Sequence, residues 1–168
     1  MKHLKTILLA TALCIGTISF TQAQSKVAHI NTTELIQAMP EMKSAQSELE
    51  ALGKTYQTDI QASITEYQTT VKQYEAEAAT KTDEENQKRG LELQEKQQRI
   101  QQFQADAQKD LQKKEIDLLG PITEKAKAAI LKVARAQGFE YVVDSAQSVV
   151  IMSDGKNLLD DVKKELGI

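Results

Sequence analysis

The chain has 168 residues, of which 40% are apolar, 27% are charged and only 4% are aromatic, and its formal net charge is −3. The length corresponds to one modest domain, and with so few aromatic side chains a single compact core would be thin, so we expect surface to be buried by helix pairing or oligomerisation. No basic tract is present, which argues against nucleic acid as a partner because phosphate neutralisation needs clustered lysine and arginine.

Residues 1–23 are predicted to be a cleaved secretory signal peptide. Basic residues begin the chain, an apolar run extends from Ile7 to Ile18, and Thr21 and Ala23 are small residues before a cut after position 23. The apolar run is shorter than the roughly 20 residues that cross a bilayer. An uncleaved anchor and a lipid attached at Cys14 are the alternatives to this interpretation.

The processed chain would begin at Gln24 and would contain no cysteine. It could therefore form no disulfide, although an exported compartment would permit one. Without Lys2 and Lys5 it has 19 basic and 24 acidic residues, a net charge of −5. No transmembrane segment is predicted in it.

A short strand and a short helix are predicted at the start of the processed chain. Lys26 to Ile30 has the composition of a strand. Asn31 or Thr32 is suited to cap a helix that continues through Met39. Pro40 then stops that helix and suits the first turn of the next one.

Residues 40–120 are predicted to form a long helical hairpin. Apolar residues recur at steps of three and four with a mean of 3.6, the period of one narrow stripe on an α-helix. The outgoing stripe comprises Met42, Ala45, Leu49, Leu52, Tyr56, Ile60, Ile64, Tyr67, Val71, Tyr74 and Ala78. The returning stripe is weaker and comprises Leu91, Ile100, Phe103, Ala107, Leu111 and Leu118.

The tip of the hairpin is predicted at residues 80–82. Thr82 and Glu85 have the spacing of a capping box, and the acidic residues around them favour a helix N-terminus. This position is also the midpoint between Pro40 and the Gly120-Pro121 pair, which is expected to end the returning helix. Each limb would then have about 39 residues and a length of about 58 Å. A long intermolecular coiled coil without a tip is the alternative.

Residues 121–168 are predicted to join residues 24–39 in a small β-rich body. A helix over 122–136 is followed by Gly138 as its cap. Two strands, 139–143 and 148–152, are predicted to form a hairpin through 144–147, and a last helix follows from Leu158 to Leu166. Three short strands leave exposed edges, which are most simply covered by other copies, so we expect a homo-oligomer.

The processed chain carries no recognisable catalytic constellation. His29 is its single histidine, and it lies among apolar residues of a strand. There is no cysteine nucleophile, no glycine-rich phosphate loop and no metal-spaced cluster of ligands. The sequence therefore predicts a protein that is not an enzyme and that uses no cofactor and no metal.

The chain resembles the OmpH/Skp family of periplasmic chaperones. The resemblance is carried by three segments: KVAHIN at 26–31, the break at Met39-Pro40, and ILKVARAQGFEYVVD at 130–144. The last of these, a helix, a glycine and a strand ending in Val-Val-Asp, is the most specific. Together with the hairpin, the resemblance covers essentially all of the processed chain.

The resemblance implies a periplasmic homotrimer. Strands of three subunits would close into a small central barrel, and three helical arms would surround a cavity that holds unfolded outer-membrane proteins without ATP. Peripheral association with the membrane is compatible with this architecture. The better-studied family members are strongly basic, whereas residues 44–120 of this chain contain ten basic and fifteen acidic residues, a net charge of −5. That difference argues against electrostatic capture of acidic clients or lipopolysaccharide.

Three sets of residues are the candidates for this function. The predicted client contacts, which could instead only pair the two limbs, are Tyr56, Ile60, Ile64, Tyr67, Val71, Tyr74 and Phe103. The predicted oligomer contacts are Val27, Ile30, Phe139, Tyr141, Val143, Val149 and Ile151. The predicted hinges, which would let the arm splay, are Pro40, Gly120 and Pro121.

Two other functions fit parts of the sequence. A structural coiled-coil protein of the envelope would need end-to-end assembly and no cavity, and the tip signals near Thr82 argue against it. A prefoldin-like holdase also carries coiled-coil arms on a β platform, but the export signal and the Val-Val-Asp segment favour the periplasmic family.

Overall fold

The computed structural model describes residues 26–147 and 150–168, so the predicted signal peptide lies outside the described residues. The fold is α+β and mostly helical, with long helices and a small strand body, as the sequence predicts. In chain order the elements are β1 (Val27–Ile30), α1 (Thr32–Ala38), α2 (Pro40–Glu77), α3 (Asp83–Ala136), β2 (Tyr141–Asp144), β3 (Lys156–Asn157) and α4 (Leu159–Leu166).

The start of the fold follows its capping residues. The Asn31 side chain accepts a hydrogen bond from the Glu34 backbone N–H at 3.0 Å and so caps α1. Met39, between α1 and α2, is in extended conformation, and Pro40 occupies the first turn of α2. The predicted break between these two helices is therefore confirmed.

Helices α2 and α3 form the antiparallel hairpin. Helix α2 has 38 residues, which corresponds to a length of about 57 Å. A 3-10 turn over Ala78–Thr80 reverses the chain. The Thr82 hydroxyl then accepts from the Glu85 backbone N–H at 3.2 Å, and the Glu85 carboxylate accepts from the Thr82 N–H at 3.0 Å. The predicted capping box is confirmed.

The predicted helix end at Gly120-Pro121 is wrong. Helix α3 has 54 residues and passes through Pro121 without a break. Its continuation is buried against the body at Ile122 and Ala126, and this packing offsets the cost of about 3 kcal/mol that proline imposes inside a helix. Asp117, whose carbonyl loses its helical partner at Pro121, is exposed to water.

The three strands form a parallel sheet in the order β2-β1-β3. The predicted hairpin between 139–143 and 148–152 is therefore wrong, because parallel neighbours need a crossover rather than a tight turn. The first of these strands is found at Tyr141–Asp144, but 150–152 forms no strand, and Ser148 and Val149 lie outside the described residues.

The third strand, Lys156–Asn157, has little β propensity of its own, and its place beside β1 depends on Gly155. A side-chain carbon built on Gly155 would come within 2.8 Å of the Val27 carbonyl oxygen. Only glycine permits so close an approach of two backbone segments. The structure thus uses this glycine to bring β3 against β1.

The core lies where β1 meets four helices. Side chains of the sheet, of α1 and of α4 pack on the body end of α3, and no polar side chain is buried among the described residues. The fully buried large side chains are Ile30, Leu35, Met39, Leu158 and Val162. The core is small, as the low content of large apolar residues indicates.

Helix α3 ends as the sequence predicts. Gly138 adopts a positive φ of 71° just after the helix. Its N–H donates to the Arg135 carbonyl at 3.1 Å, and the Phe139 N–H donates to the Ala134 carbonyl at 3.0 Å. These two bonds form a Schellman motif, which directs the chain from α3 into β2.

Asp144 connects the end of β2 to the start of α1. Its carboxylate accepts hydrogen bonds from the Thr32 N–H at 3.2 Å and the Thr32 hydroxyl at 2.7 Å. It also accepts from the Ala146 N–H at 3.0 Å and from the Gln147 amide at 3.3 Å. Asp144 was predicted to lie in the hairpin turn over 144–147, but half of its bonds reach across the body to Thr32.

Candidate functional site

The seven predicted client contacts lie along the seam between α2 and α3. Each of these side chains is half-buried in the single chain, facing the opposite limb while keeping part of its surface open. Ala45 and Ala107 are the seam positions that are fully buried. The seam is thus a shallow apolar stripe with accessible edges rather than a closed core.

Leu91 is an exception to the predicted stripe. The periodicity placed it on the returning seam, but it is 58% exposed. Leu93, two positions later, is half-buried instead. A weak stripe with many glutamines between its apolar members does not determine helix phase over one turn, which is why the sequence misplaced this residue.

Polar pairs cross the seam at intervals along the described arm. Each joins a side chain of α2 to one of α3, at positions that keep a constant antiparallel register. The pairs are Glu48–Lys114 (2.7 Å), Tyr56–Asp110 (2.7 Å), Glu66–Lys96 (2.7 Å), Tyr74–Glu92 (2.8 Å) and Glu77–Arg89 (2.5 Å). The limbs are therefore held by hydrogen bonds and ion pairs as well as by apolar contact.

Two of the candidate tyrosines take part in this pairing. The Tyr56 ring meets the Phe103 ring edge to face, with centroids 6.0 Å apart and planes at 74°. The Arg89 guanidinium lies 4.5 Å from the centroid of the Tyr74 ring. Hydrogen bonds to Asp110 and Glu92 raise the pKa of the two hydroxyls, because a nearby carboxylate favours the neutral phenol.

The ion pairs also shift the pKa values of the paired groups in the direction expected for attraction between opposite charges. The hydrogen bond from Lys96 lowers the pKa of Glu66, and the same bond raises the pKa of Lys96. The hydrogen bond to Glu48 likewise raises the pKa of Lys114. These groups are exposed to water, so their contribution to stability is small and is screened by salt.

Two open grooves lie along the seam. One, of about 290 Å³, is lined by Tyr67, Ile100 and Phe103 together with charged side chains such as Arg99. The other, of about 360 Å³, includes Tyr56, Ile60, Ala107 and Leu111 in its lining. A groove whose lining combines aromatic and aliphatic side chains with a few polar groups can accept an apolar side chain of another molecule. The structure thus brings Tyr67 and Phe103 together at an accessible surface.

The predicted oligomer residues divide into two groups. Val27, Tyr141 and Val143 are 44%, 60% and 38% exposed, and Ile151 is 98% exposed. Ile30, by contrast, is 1% exposed, so its assignment to an oligomer contact is wrong because it already belongs to the core of its own chain.

The remaining two predicted oligomer residues are not placed at an open surface. Phe139 is half-buried and packs against the core of the body. Val149 lies outside the described residues. Of the seven predicted oligomer residues, the described part of the chain therefore exposes four, which are Val27, Tyr141, Val143 and Ile151.

Several exposed apolar side chains were missed from the sequence. Met152 is 76% exposed, Ile116 is 71% exposed and Leu131 is 43% exposed. Leu131 and Ile130 also line an apolar groove of about 360 Å³ beside β2. Adjacent apolar residues on a helix point about 100° apart, so the pair 130–131 was a readable signal of a second apolar face.

Membrane-spanning helices and metal-binding clusters are both absent from the described residues. None of the helices over 26–147 and 150–168 combines the length and the hydropathy that a membrane span requires. Over the same ranges, no three histidine, cysteine or carboxylate side chains come together where they could hold a metal ion.

The chain is similar to known proteins in both sequence and fold. Residues 26–166 match the profile of the outer membrane protein (OmpH-like) family. The chaperone protein Skp of Photorhabdus laumondii is 24% identical to the chain over 158 residues, which are 94% of this chain and 93% of that protein. An OmpH-like outer membrane chaperone of Caulobacter crescentus has a TM-score of 0.76 at 17% identity, covering 86% of this chain and 85% of its own.

The family match includes the strand body, both limbs of the arm and the Val-Val-Asp segment. The structural likeness shows independently that the fold is shared. The resemblance seen in the sequence is therefore confirmed, and the chain is a member of the OmpH-like family of outer membrane proteins.

Proposed function

We propose that this protein is an ATP-independent holdase of the periplasm, which binds unfolded outer-membrane proteins and prevents their aggregation. The observation that carries the proposal is a long hairpin whose apolar seam stays half-exposed and opens into grooves at Tyr67 and Phe103, in a chain of the OmpH-like family. The chaperone name of its curated relative supports the same function.

Holding without ATP requires contacts that are weak one by one. Each half-buried seam residue offers a small apolar area, and burial of such area contributes about 25 cal/mol per Å². Several arms acting on one client would add these contacts by multivalency. A protein that binds the unfolded state keeps its client unfolded until a stronger partner competes.

The proposed assembly is a homotrimer built through the strand body. The support is the exposure of Val27, Tyr141 and Val143 on the sheet and of Ile151 beside it, together with the free edges of a three-stranded sheet. Three copies would close these edges and would place three arms around one cavity.

The arm's charge supports apolar rather than electrostatic capture. Residues 44–120 have a net charge of −5, and three of their ten basic side chains, Arg89, Lys96 and Lys114, pair with carboxylates of the opposite limb. We therefore expect client binding to persist at high salt, since apolar contacts are not screened by ions.

The holdase activity is tested with a barrel protein diluted from urea, in the presence and absence of the exported chain. We expect the wild-type protein to suppress aggregation, and Tyr67→Gln to weaken client binding by about fivefold for each arm that holds the client, because one half-buried ring contributes about 1 kcal/mol. Gln101→Ala, an exposed position outside both grooves, is the matched control. Light scattering measures aggregation, and mass photometry measures stoichiometry.

The outcomes of this assay separate the competing functions. Three chains per client with suppressed aggregation would support the holdase and the trimer together. A stable elongated oligomer that does not suppress aggregation would instead favour a structural coiled-coil protein of the envelope. An unchanged affinity of Tyr67→Gln would remove the groove from the proposed client surface.

We propose that the base of the arm flexes at two places. One is Gly120-Pro121, within the continuous helix α3, and the other is the Met39-Pro40 break. Replacing both Gly120 and Pro121 with alanine is expected to stiffen the arm base, because alanine restores a backbone N–H and favours the helix. An alanine at Gly120 meets no atom within 4 Å. Hydrogen exchange near residue 120 should slow, and the range of client sizes should narrow.

Gly90→Ala is the control for the hinge, because it gives the same helix propensity far from the arm base and is equally free of contacts. If the double variant holds small and large barrel proteins with unchanged stoichiometry, flexibility at residues 120–121 has no part in client selection.

A further inference from the structure

The imidazole of His29 lies on the face of the sheet that points away from the helices. Ala28 and Ile30 are each 1% exposed and pack in the core. Because side chains alternate along a strand, Val27 and His29 point to the other face. The strand register places Val143 on one side of His29 and Asn157 on the other.

His29 is partly buried, and its Nδ1 atom is enclosed without a hydrogen-bond partner. Its backbone is satisfied, since the Leu158 N–H donates to the His29 carbonyl at 2.9 Å. It is also the single histidine in the described part of the chain. An enclosed but unpaired polar atom is costly, and here it lies beside exposed apolar side chains.

The other ionisable groups around this face are one phenol and three charged side chains at its ends. By register, β2 contributes Tyr141 and β3 contributes Asn157, and histidine is the side chain that changes charge between pH 5 and 8. The three charged side chains are exposed. Lys26 and Glu140 directly precede β1 and β2, and Asp154 lies in the loop before β3.

We propose that His29 makes the self-assembly of this protein pH-dependent, so that mild acid dissociates the oligomer. The inference rests on the proposed assembly through the sheet face, where a second copy would cover Val27, Tyr141 and Val143. A neutral imidazole can be buried among these side chains. An imidazolium would carry a charge into an apolar interface that offers it no carboxylate by register, and burying an unpaired charge is strongly unfavourable.

The test is mass photometry of the chain purified from the periplasmic fraction, at pH 7.5 and pH 5.5 and constant ionic strength. We expect the dissociation constant of the oligomer to be higher at pH 5.5 by about tenfold or more. His29→Ile should remain assembled at both pH values, and His29→Lys should be dissociated at both. Circular dichroism of each sample reports whether the helices stay folded.

The results distinguish this inference from the proposed assembly. A wild-type oligomer that is equally stable at both pH values would overturn the role of His29 and leave the assembly standing. A monomer at pH 7.5 would overturn the assembly and this inference with it. Dissociation of His29→Ile at pH 5.5 as complete as that of the wild type would assign the pH dependence to another group.

Discussion

Leu35→Ala is expected to lower the free energy of unfolding of the body by about 2–5 kcal/mol, the range for a fully buried leucine. Leu35 is 0% exposed and packs where α1 meets the sheet and α3. The core holds few large side chains, so little neighbouring volume is available to fill the cavity. Urea unfolding, followed by circular dichroism, measures the loss.

Leu91→Ala is the matched control for this substitution. The chemical change is the same, but Leu91 is 58% exposed on the arm, so the expected change is below about 1 kcal/mol. Equal losses for the two variants would contradict the placement of Leu35 in the core and of Leu91 at the surface.

Asp144→Asn is expected to destabilise the protein by about 1–3 kcal/mol at neutral pH. The carboxylate accepts four hydrogen bonds, two of them from Thr32 across the body. Both backbone N–H groups bond to Oδ1, so an amide that keeps these bonds places its NH2 group where Oδ2 accepts from the Thr32 hydroxyl and the Gln147 amide. The Gln147 amide then faces another donor and loses its acceptor, and the charge-assisted character of all four bonds is lost. Asp59→Asn, on an exposed turn of α2, is the control for loss of charge alone.

The effect of Asp144→Asn should depend on pH. Partial burial by itself would raise the pKa of Asp144, but the bonds from Thr32, Ala146 and Gln147 together hold that pKa below the ordinary value of 3.8. A lowered pKa in the folded state stabilises the protein at pH values above the unfolded pKa, and this stabilisation is lost as the pH falls through the folded pKa.

The difference in unfolding free energy between wild type and Asp144→Asn should therefore be largest at pH 7 and should shrink as the pH falls below about 3.8. Urea titrations at pH 7, 4 and 3 measure this difference. A difference that stays constant across these values would mean that the charge of Asp144 does not stabilise the fold.

The local features of the fold were predictable from residues close in sequence. Asn31 as a helix cap, the Thr82–Glu85 capping box and the Gly138 terminus each depend on bonds that span five residues or fewer. Such bonds form wherever the local sequence allows them. For the same reason the 3.6-residue period was enough to predict a long arm.

The errors occurred where distant contacts outweigh local preference. Pro121 suggested a helix end, but burial of the neighbouring Ile122 keeps α3 continuous. The apolar segment at 150–152 suggested a strand, but β1 pairs with Lys156–Asn157 instead. Strand pairing depends on register and on the close backbone approach at Gly155. The β propensity of a segment predicts neither of these.

The candidate client-binding residues were also predictable only in part from the sequence. Periodicity alone placed six of the predicted client residues on the outgoing stripe and Phe103 on the returning stripe, because helical phase is a property of spacing. It could not determine that Tyr56 and Tyr74 bond to carboxylates of the opposite limb while Tyr67 borders an open groove. That depends on the register between two helices.

The sequence by itself determined the helical arm, its tip, the helix caps and the family, since these rest on local bonds, periodicity and a contiguous motif. Only the tertiary structure decided the parallel order of the sheet, the place of Ile30 in the core and the role of Asp144. Each of these joins residues more than 90 positions apart or depends on such a contact. Long-range packing free energy, rather than local propensity, determines them.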